Sequence, residues 1–322
     1  MGTDRYSLLR ILADGRIHSV EHVCRTLGLS EIGVRKLARE LARLGARVCR
    51  EAGSGLRLER PMDLYDPELL EDQLKAFPGL CLELLEECPS TNTALVARAR
   101  AGAAHGSVLV CEHQSAGRGR RGNAWISTVG ESVTFSILWR FPRGAGALAG
   151  LGLAVAVGAV RGLEALGVRD VSVKWPNDLF YGGGKLGGIL VETSGEAAGP
   201  VAAVIGVGVN VHLSDAARAR IGGPAVDIAA TGMLPSRTAT LAGLVTSVAS
   251  SLELFSRKGF AVFREAWLER HAWQGRRVVL SQADRSVAEG ELVGIADDGA
   301  LELASERGIQ RFHNGELSLR LG

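Results

Sequence analysis

The sequence is short of several things, and each shortage narrows what it can be. No run of about 18 uninterrupted apolar residues occurs, so its apolar helices are expected in a packed core and not across a bilayer. The longest candidate, residues 148–160, is laced with Gly and Ala and is followed by Arg161, which predicts a buried helix and no membrane association. The first residues, Met-Gly-Thr-Asp-Arg-Tyr, carry no charged-then-apolar leader pattern, so a cytoplasmic protein is expected. Five cysteines (Cys24, Cys49, Cys81, Cys88, Cys111) form an odd set with no CxxC pair and no histidine at ligand spacing. Free thiols in a reducing compartment are therefore expected, with no metal site. Lysine is scarce as well: five lysines stand against 32 arginines.

What is present is a chain of 322 residues with 46% hydrophobic and 22% charged side chains, a globular composition too long for one ordinary core. The net charge of +2 hides an asymmetry. Residues 1–60 hold twelve basic and seven acidic side chains, whereas residues 61–89 hold eight acids and only Lys75. A basic head on an acidic connector implies that the head meets a polyanion.

In the head, an apolar turn over residues 7–12 stops at Asp14-Gly15, and Ser19 is placed to cap a short helix over 20–27. Gly28-Leu29 is a turn, and Ser30 caps a second helix running to Leu44. Its apolar stripe is Val34, Leu37, Leu41 and Leu44; Arg35, Lys36, Arg39 and Arg43 lie off the stripe. Residues 46–58, with Gly53-Ser54-Gly55 between two alternating runs, read as a hairpin wing. This is a helix-turn-helix pattern with Ser30, Arg35, Lys36 and Arg39 as the DNA-facing set; a small helical adaptor with a solvated basic face is the alternative.

Pro61 and Pro67 bracket a junction before an acidic helix over 68–77. Strand-like runs at 108–113, 133–139, 171–175, 186–193 and 201–212 then alternate with helices near 91–101 and 148–166, which predicts an α/β domain with a mixed sheet. After an amphipathic helix over 260–271, short strands at 277–281, 288–295, 300–304 and 309–313 are divided by Asp-Asp-Gly, Glu-Arg-Gly and Asn-Gly, the turn chemistry of a small antiparallel barrel. Three domains are expected, over 1–62, 63–271 and 272–322.

The chemistry concentrates in the middle domain. After a strand, Gln114-Ser115-Ala116-Gly117-Arg118-Gly119-Arg120-Arg121-Gly122-Asn123 interleaves arginine with glycine. Such a loop resists burial but can fold around an anion, because guanidinium forks grip carboxylate and phosphate oxygens while glycine amides approach closely. A solvated basic loop is the alternative. It differs from a GxxxxGK[ST] phosphate loop, since no Lys-Ser helix follows.

Lys174-Trp175-Pro176-Asn177-Asp178 stands at the end of a strand, and Gly182-Gly183-Gly184 delivers Lys185 ahead of Leu186-Gly187-Gly188-Ile189-Leu190-Val191-Glu192. In a chain so poor in lysine, two of five at these places point to a compact charge set among crowded oxygens, although two ordinary surface lysines fit as well. Pro89-Ser90-Thr91-Asn92 is a helix start able to hold a small polar head group, or a plain cap. Gly206-Val207-Gly208-Val209-Asn210 places glycines inside a strand, where something must approach the backbone.

In this order, Ser90-Thr91-Asn92, the Arg-Gly loop, Lys174 to Asp178, Lys185 to Glu192 and Gly206 to Asn210 resemble the biotin protein ligase family. The head and tail resemble its bifunctional members, which also repress biotin synthesis genes.

The resemblance implies a catalytic domain of the biotin/lipoate ligase type, a winged helix-turn-helix before it and a small SH3-like β-barrel after it. It implies an ATP-dependent ligase that makes biotinyl-5'-AMP, with Mg²⁺, and passes biotin to a lysine of the biotin carboxyl carrier protein. Operator DNA and a homodimer loaded with biotinyl-AMP are the further implied partners.

By the same resemblance Ser90, Thr91, Asn92, Gln114, Gly117, Arg118, Gly119, Arg120, Lys185 and Gly188 bind biotin. Arg118, Arg120, Arg121, Trp125, Lys174, Asn177 and Asn210 bind ATP, and Arg120, Lys185 and Asp178 are catalytic. A lipoyl or octanoyl transfer enzyme of related fold, or a non-catalytic repressor, are the alternatives. Two departures stand out: Asn123 where a basic residue is expected, and Ala225-Val226-Asp227-Ile228 where the adenine loop often offers tryptophan.

Overall fold

In the computed structural model, residues 5–51, 55–195, 199–282, 285–313 and 317–322 are described. The head folds as α1 (Arg5–Leu12), β1 (His18–Ser19), α2 (Val20–Leu27), α3 (Glu31–Arg43), β2 (Val48–Glu51) and β3 (Gly55–Leu58). Both expected caps form: Ser19 Oγ accepts from His22 N at 3.1 Å and Ser30 Oγ from Gly33 N at 3.3 Å. Gly28 closes α2 in the left-handed region, φ 65°, where a Cβ is costly. The strands pair antiparallel in the order β1-β3-β2; Gly53 and Ser54 of the expected turn lie outside the described residues.

Leu8, Leu9, Leu12, Val23, Val34, Leu37, Leu41 and Leu58 form a core of their own, and Leu44 sits at its margin. Arg35, Lys36, Arg39 and Arg43 are exposed on the other side of α3. Val129, from the loop after the Arg-Gly segment, is fully buried in this same core.

The connector helix is α4 (Pro67–Leu74), capped by Asp66. It stops three residues short of the expected end, because Phe77 precedes Pro78 and turns back onto Leu74 O. Next come β4 (Cys81–Cys88), α5 (Thr91–Arg100), β5 (Ser107–Gln114), β6 (Ser132–Phe141), α6 (Leu151–Ala165), β7 (Ser172–Lys174), β8 (Asp178–Tyr181), β9 (Gly184–Gly195) and β10 (Val201–Asn210). The sheet runs β4-β5-β6-β10-β9-β8-β7, with only β4 and β5 parallel. The helices α7 (Asp215–Ile221) and α8 (Arg237–Lys258) follow.

Helices α6 and α8 pack against each other and onto β6 and β9, and α5 lies against β5, β6 and β10. The Gly and Ala in α6 have a packing reason: a Cβ at Gly162 would lie 2.7 Å from Gly243 O, and one at Gly158 2.5 Å from Ser251 Oγ. By length and composition Ala145–Ala165 and α8 reach the size of a membrane span, but 61% of each such window is buried inside the protein.

The strands β4 and β8 and the helices α7 and α8 are not signalled by the sequence patterns. In α8 the buried face includes Thr238, Thr240 and Ser251, so the apolar stripe is interrupted; Thr240 Oγ1 satisfies itself on Ser236 O at 2.9 Å. At its start, the fully buried Arg237 donates to Glu112 Oε2 at 2.7 Å, Ser132 O at 3.0 Å and Asp63 O at 2.7 Å, tying the connector to the sheet.

The helix expected over 260–271 is shorter: one 3-10 turn, Ala261–Phe263, then α9 (Arg264–Leu268). By His271 the chain is extended along β7, with Val173 N donating to Arg270 O at 2.7 Å and Ala272 N to Val173 O at 2.9 Å. The tail comprises β11 (Arg277–Gln282), β12 (Arg285–Ile295), β13 (Leu301–Ser305), β14 (Gly308–Phe312) and β15 (Leu317–Leu321), an antiparallel sheet in the order β14-β13-β12-β11-β15. Among the described residues β14 and β15 are its two edges and do not pair, so a closed barrel is not seen; the Asn314-Gly315 turn lies outside those residues.

Candidate active site

Ser90, Thr91 and Asn92 are buried at the start of α5, where Ser90 Oγ accepts from Thr93 N. Thr91 N and Thr91 Oγ1 both donate to Gln114 Oε1, at 2.7 and 3.1 Å. Ser136 Oγ lies 2.8 Å from Thr91 Oγ1 and donates to Asn92 Oδ1 at 2.6 Å. Asn92 Nδ2 donates to Glu192 Oε2 at 3.0 Å and Leu190 O at 3.4 Å. The glycine at 206 makes this possible, because a Cβ there would overlap Asn92 Oδ1.

The Arg-Gly segment is a closed excursion from the end of β5. Trp125 N donates to Gly117 O at 2.9 Å, Gly119 N to Asn123 O at 2.7 Å, and Arg120–Gly122 make a 3-10 turn with Arg121 in the left-handed region, φ 57°. Arg118 pairs with Glu192 at 3.0 Å and donates to Thr93 Oγ1 at 3.2 Å. Arg120 donates to Asn177 Oδ1 at 3.1 Å, and Asn177 Nδ2 donates to Ile189 O at 2.7 Å. Burial, then Arg121, pull the Arg120 guanidinium below its ordinary value, while Asp178 opposes them. The Trp125 ring packs where Gly208 leaves room, a Cβ there falling 2.7 Å from the ring.

Lys174 ends β7 and Asp178 begins β8, directly opposite each other in the ladder. Asp178 nevertheless pairs with Lys185, Nζ to Oδ1 2.7 Å. Gly188 provides the space, since a Cβ on it would meet Lys185 Nζ at 3.2 Å. Gly187 has another neighbour, the carbonyl of Gly208 on β10. Burial lowers the Lys174 pKa, Asp178 raises it, and Lys185 and Arg320 lower it further.

These segments meet in a cavity of about 260 Å³. Of the expected site residues, Ser90, Thr91, Asn92, Gln114, Arg118, Gly119, Arg120, Arg121, Trp125, Lys174, Asn177, Asp178, Lys185 and Gly188 line it. Gly117 does not line it; its place is under the Trp125 carbonyl. Asn210 does not line it either: it is buried, and its Nδ2 donates to Val226 O at 2.9 Å and Lys185 O at 3.4 Å.

Among the described residues, six cationic side chains (Arg118, Arg120, Arg121, Lys174, Lys185, Arg320) line this space with one lining carboxylate, Asp178, and Glu192 pairs with Arg118 beside it. Such a balance suits a polyanion. Leu317, Ser318, Leu319 and Arg320 are lining residues that the sequence patterns missed. The Leu-Ser-Leu-Arg-Leu alternation signals a strand, but its approach to a cavity otherwise lined by residues between Ser90 and Gly208 is a tertiary fact. Among the described residues no cluster of three His, Cys, Asp or Glu is placed to hold a metal. Ser30, Arg35, Lys36 and Arg39 are exposed on α3 or at its cap.

The biotin/lipoate A/B protein ligase family model matches residues 84–210, and the biotin protein ligase C-terminal domain model matches residues 275–320. The bifunctional ligase/repressor BirA of Salmonella typhimurium is 33% identical over 314 residues, 98% of this chain and 97% of that one. The chain belongs to the biotin protein ligase family. Its BirA relative from Escherichia coli is 33% identical over 97% of this chain and 96% of its own. The biotin protein ligase of Aquifex aeolicus, solved in complex with biotin and ATP, matches with a TM-score of 0.64 at 27% identity, covering 75% of this chain and 99% of that one.

For a biotin protein ligase both sequence departures have a structural setting. Asn123 lines the cavity and closes the Arg-Gly turn through its carbonyl. The 225–228 segment does not line the cavity. It pairs with β9, Val226 N donating to Lys185 O at 3.0 Å, and the buried Asp227 accepts from Leu213 N at 2.7 Å and Arg218 at 2.6 Å.

Proposed function

We propose that this chain acts in the cytoplasm, activating biotin with ATP as biotinyl-5'-AMP and transferring the biotin to a lysine of a biotin carboxyl carrier protein. We read it as three domains, 1–62, 63–271 and 272–322, the first a winged helix-turn-helix that binds operator DNA. The observation that carries the ligase reading is the excess of cations over carboxylates among the described residues lining the cavity that also holds the buried Ser90-Thr91-Asn92 turn. A polar head group fits one end and phosphates the other.

In the first step a biotin carboxylate oxygen bonds to the α-phosphorus of ATP as that phosphorus parts from the oxygen of the leaving pyrophosphate. No enzyme nucleophile is needed, and alignment with charge stabilisation lowers the barrier. Ser90, Thr91, Asn92 and Gln114 hold the ring system. Arg120 and Lys185 serve the carboxylate and α-phosphate; Arg118, Arg121, Lys174 and Asn177 serve the remaining phosphates, and Trp125 flanks the adenylate. Asn210, expected among the ATP contacts, supports the Lys185 strand through its two carbonyl bonds. Mg²⁺ would accompany ATP and offset phosphate charge, and Asp178 is the described lining carboxylate that could meet it.

The mixed anhydride needs protection from water, which the Arg-Gly loop supplies by closing over it. The neutral amine of the acceptor lysine then attacks the acyl carbon and AMP leaves, with Asp178 orienting that amine or taking its proton. The loaded form is proposed to dimerise.

Pyrophosphate release with biotin or lipoate as the acid, and a biotin carboxyl carrier domain as acceptor, tests the reading. Turnover with biotin alone supports it; equal turnover with lipoate overturns it in favour of a lipoyl or octanoyl transfer enzyme. For the head, the exposed Arg35, Lys36 and Arg39 favour DNA. Binding of a biotin-operon promoter in gel shifts, weakened by salt, is expected, and no binding at low salt refutes that part.

A further inference from the structure

Lys174 is held in an unusual way for a lysine facing an active-site cavity. Its ladder partner Asp178 is taken by Lys185 at 2.7 Å, and among the described residues no carboxylate lies within ion-pair distance of the Lys174 ammonium. Instead Nζ stands 4.5 Å over the ring of Trp273 and 5.3 Å over that of Phe180, and those rings meet edge to face with centroids 5.8 Å apart. Ring faces attract an ammonium without neutralising it and without occupying its N–H donors. A lysine so placed keeps its N–H donors for an anionic ligand, whereas a carboxylate would compete with that ligand.

The two rings come from different places. Phe180 belongs to β8 of the catalytic sheet. Trp273 lies on the segment that joins this sheet to the tail, fixed on one side by Ala272 N on Val173 O and on the other by Gly275 N on Leu292 O of β12. We propose that Trp273 is a positioning residue: it holds Lys174 toward the phosphates of ATP and so makes nucleotide binding depend on the seating of the C-terminal domain. This rests on reading Lys174 as a nucleotide contact.

The test compares Trp273→Leu, Trp273→Phe, Lys174→Met and the double variant Trp273→Leu/Lys174→Met in full-length protein. The readouts are the KM values for ATP and biotin in pyrophosphate release, with biotin affinity by calorimetry as a control for folding. Trp273→Leu is expected to raise the ATP KM about tenfold with the biotin KM within twofold, and Trp273→Phe, which keeps a ring face, to restore most of it. In the Lys174→Met background Trp273→Leu should add nothing. An unchanged ATP KM in Lys174→Met overturns the underlying assignment of Lys174. A raised KM in Lys174→Met with none in Trp273→Leu, or an equal effect of Trp273→Leu in both backgrounds, overturns the positioning role.

Discussion

Gly206→Ala separates a functional reason for a glycine from a backbone one. Gly206 sits within β10 and is not among the positive-φ glycines, so alanine fits its backbone and the cost falls on what the new methyl meets. It meets Asn92 Oδ1, the tip of a side chain only 3% exposed. Turning that amide away breaks its bond from Ser136 Oγ at 2.6 Å and its donation to Glu192 at 3.0 Å. At about 1–2 kcal/mol for each of two such losses, the site loses about 2–4 kcal/mol. If Asn92 holds the biotin head group, biotin affinity falls by about 30- to 1,000-fold while the ATP KM moves less than threefold. Calorimetric titration with biotin checks this, and the cost should vanish in an Asn92→Ala background. A folded Gly206→Ala protein that binds biotin within threefold of the parent refutes the reasoning.

Arg120→Gly opens the Arg-Gly turn and removes its contact to Asn177; free biotinyl-AMP should escape and label bystander proteins, and undiminished retention of adenylate in the purified variant counts against a clamp. Burial, only partly offset by Gln274, pushes the His271 pKa down to about 4. The folded state therefore binds fewer protons than the unfolded one between that value and the ordinary 6.5. The stability tied to neutral His271 is complete above about pH 6.5 and drains as pH falls toward 4, with a slope approaching one proton. His271→Phe, which keeps a ring against Trp267, should flatten the fall of Tm between pH 7 and 4.5; an identical profile speaks against it. Arg39→Ala on the exposed side of α3 should weaken operator binding and lower the salt slope by about one if Arg39 meets a phosphate, and equal retention at all salt concentrations excludes that contact.

Much of this protein is decided locally and was legible as such. Ser19, Ser30 and Gly28 determine where the first helices begin and turn, because a cap or a left-handed residue acts on backbone groups within four positions. The strand alternations, the Arg-Gly run and the lysines at 174 and 185 likewise mark an anion site by residue type alone. The tertiary structure decided what those residues touch. It set Asp178 on Lys185 instead of its ladder partner, turned Asn210 inward to hold a strand, and brought Arg320 and Trp273 from the tail to Lys174. It also made a helix of the Ser- and Thr-broken stretch 237–258, where Thr240, Thr246, Ser250 and Ser256 donate to carbonyls one turn back and Ser247 donates to Gly158 O of α6. The division has one physical cause: helix starts and turns are settled by neighbours in the chain, whereas the partner of a buried charge is whichever group the packed sheet brings within about 3 Å.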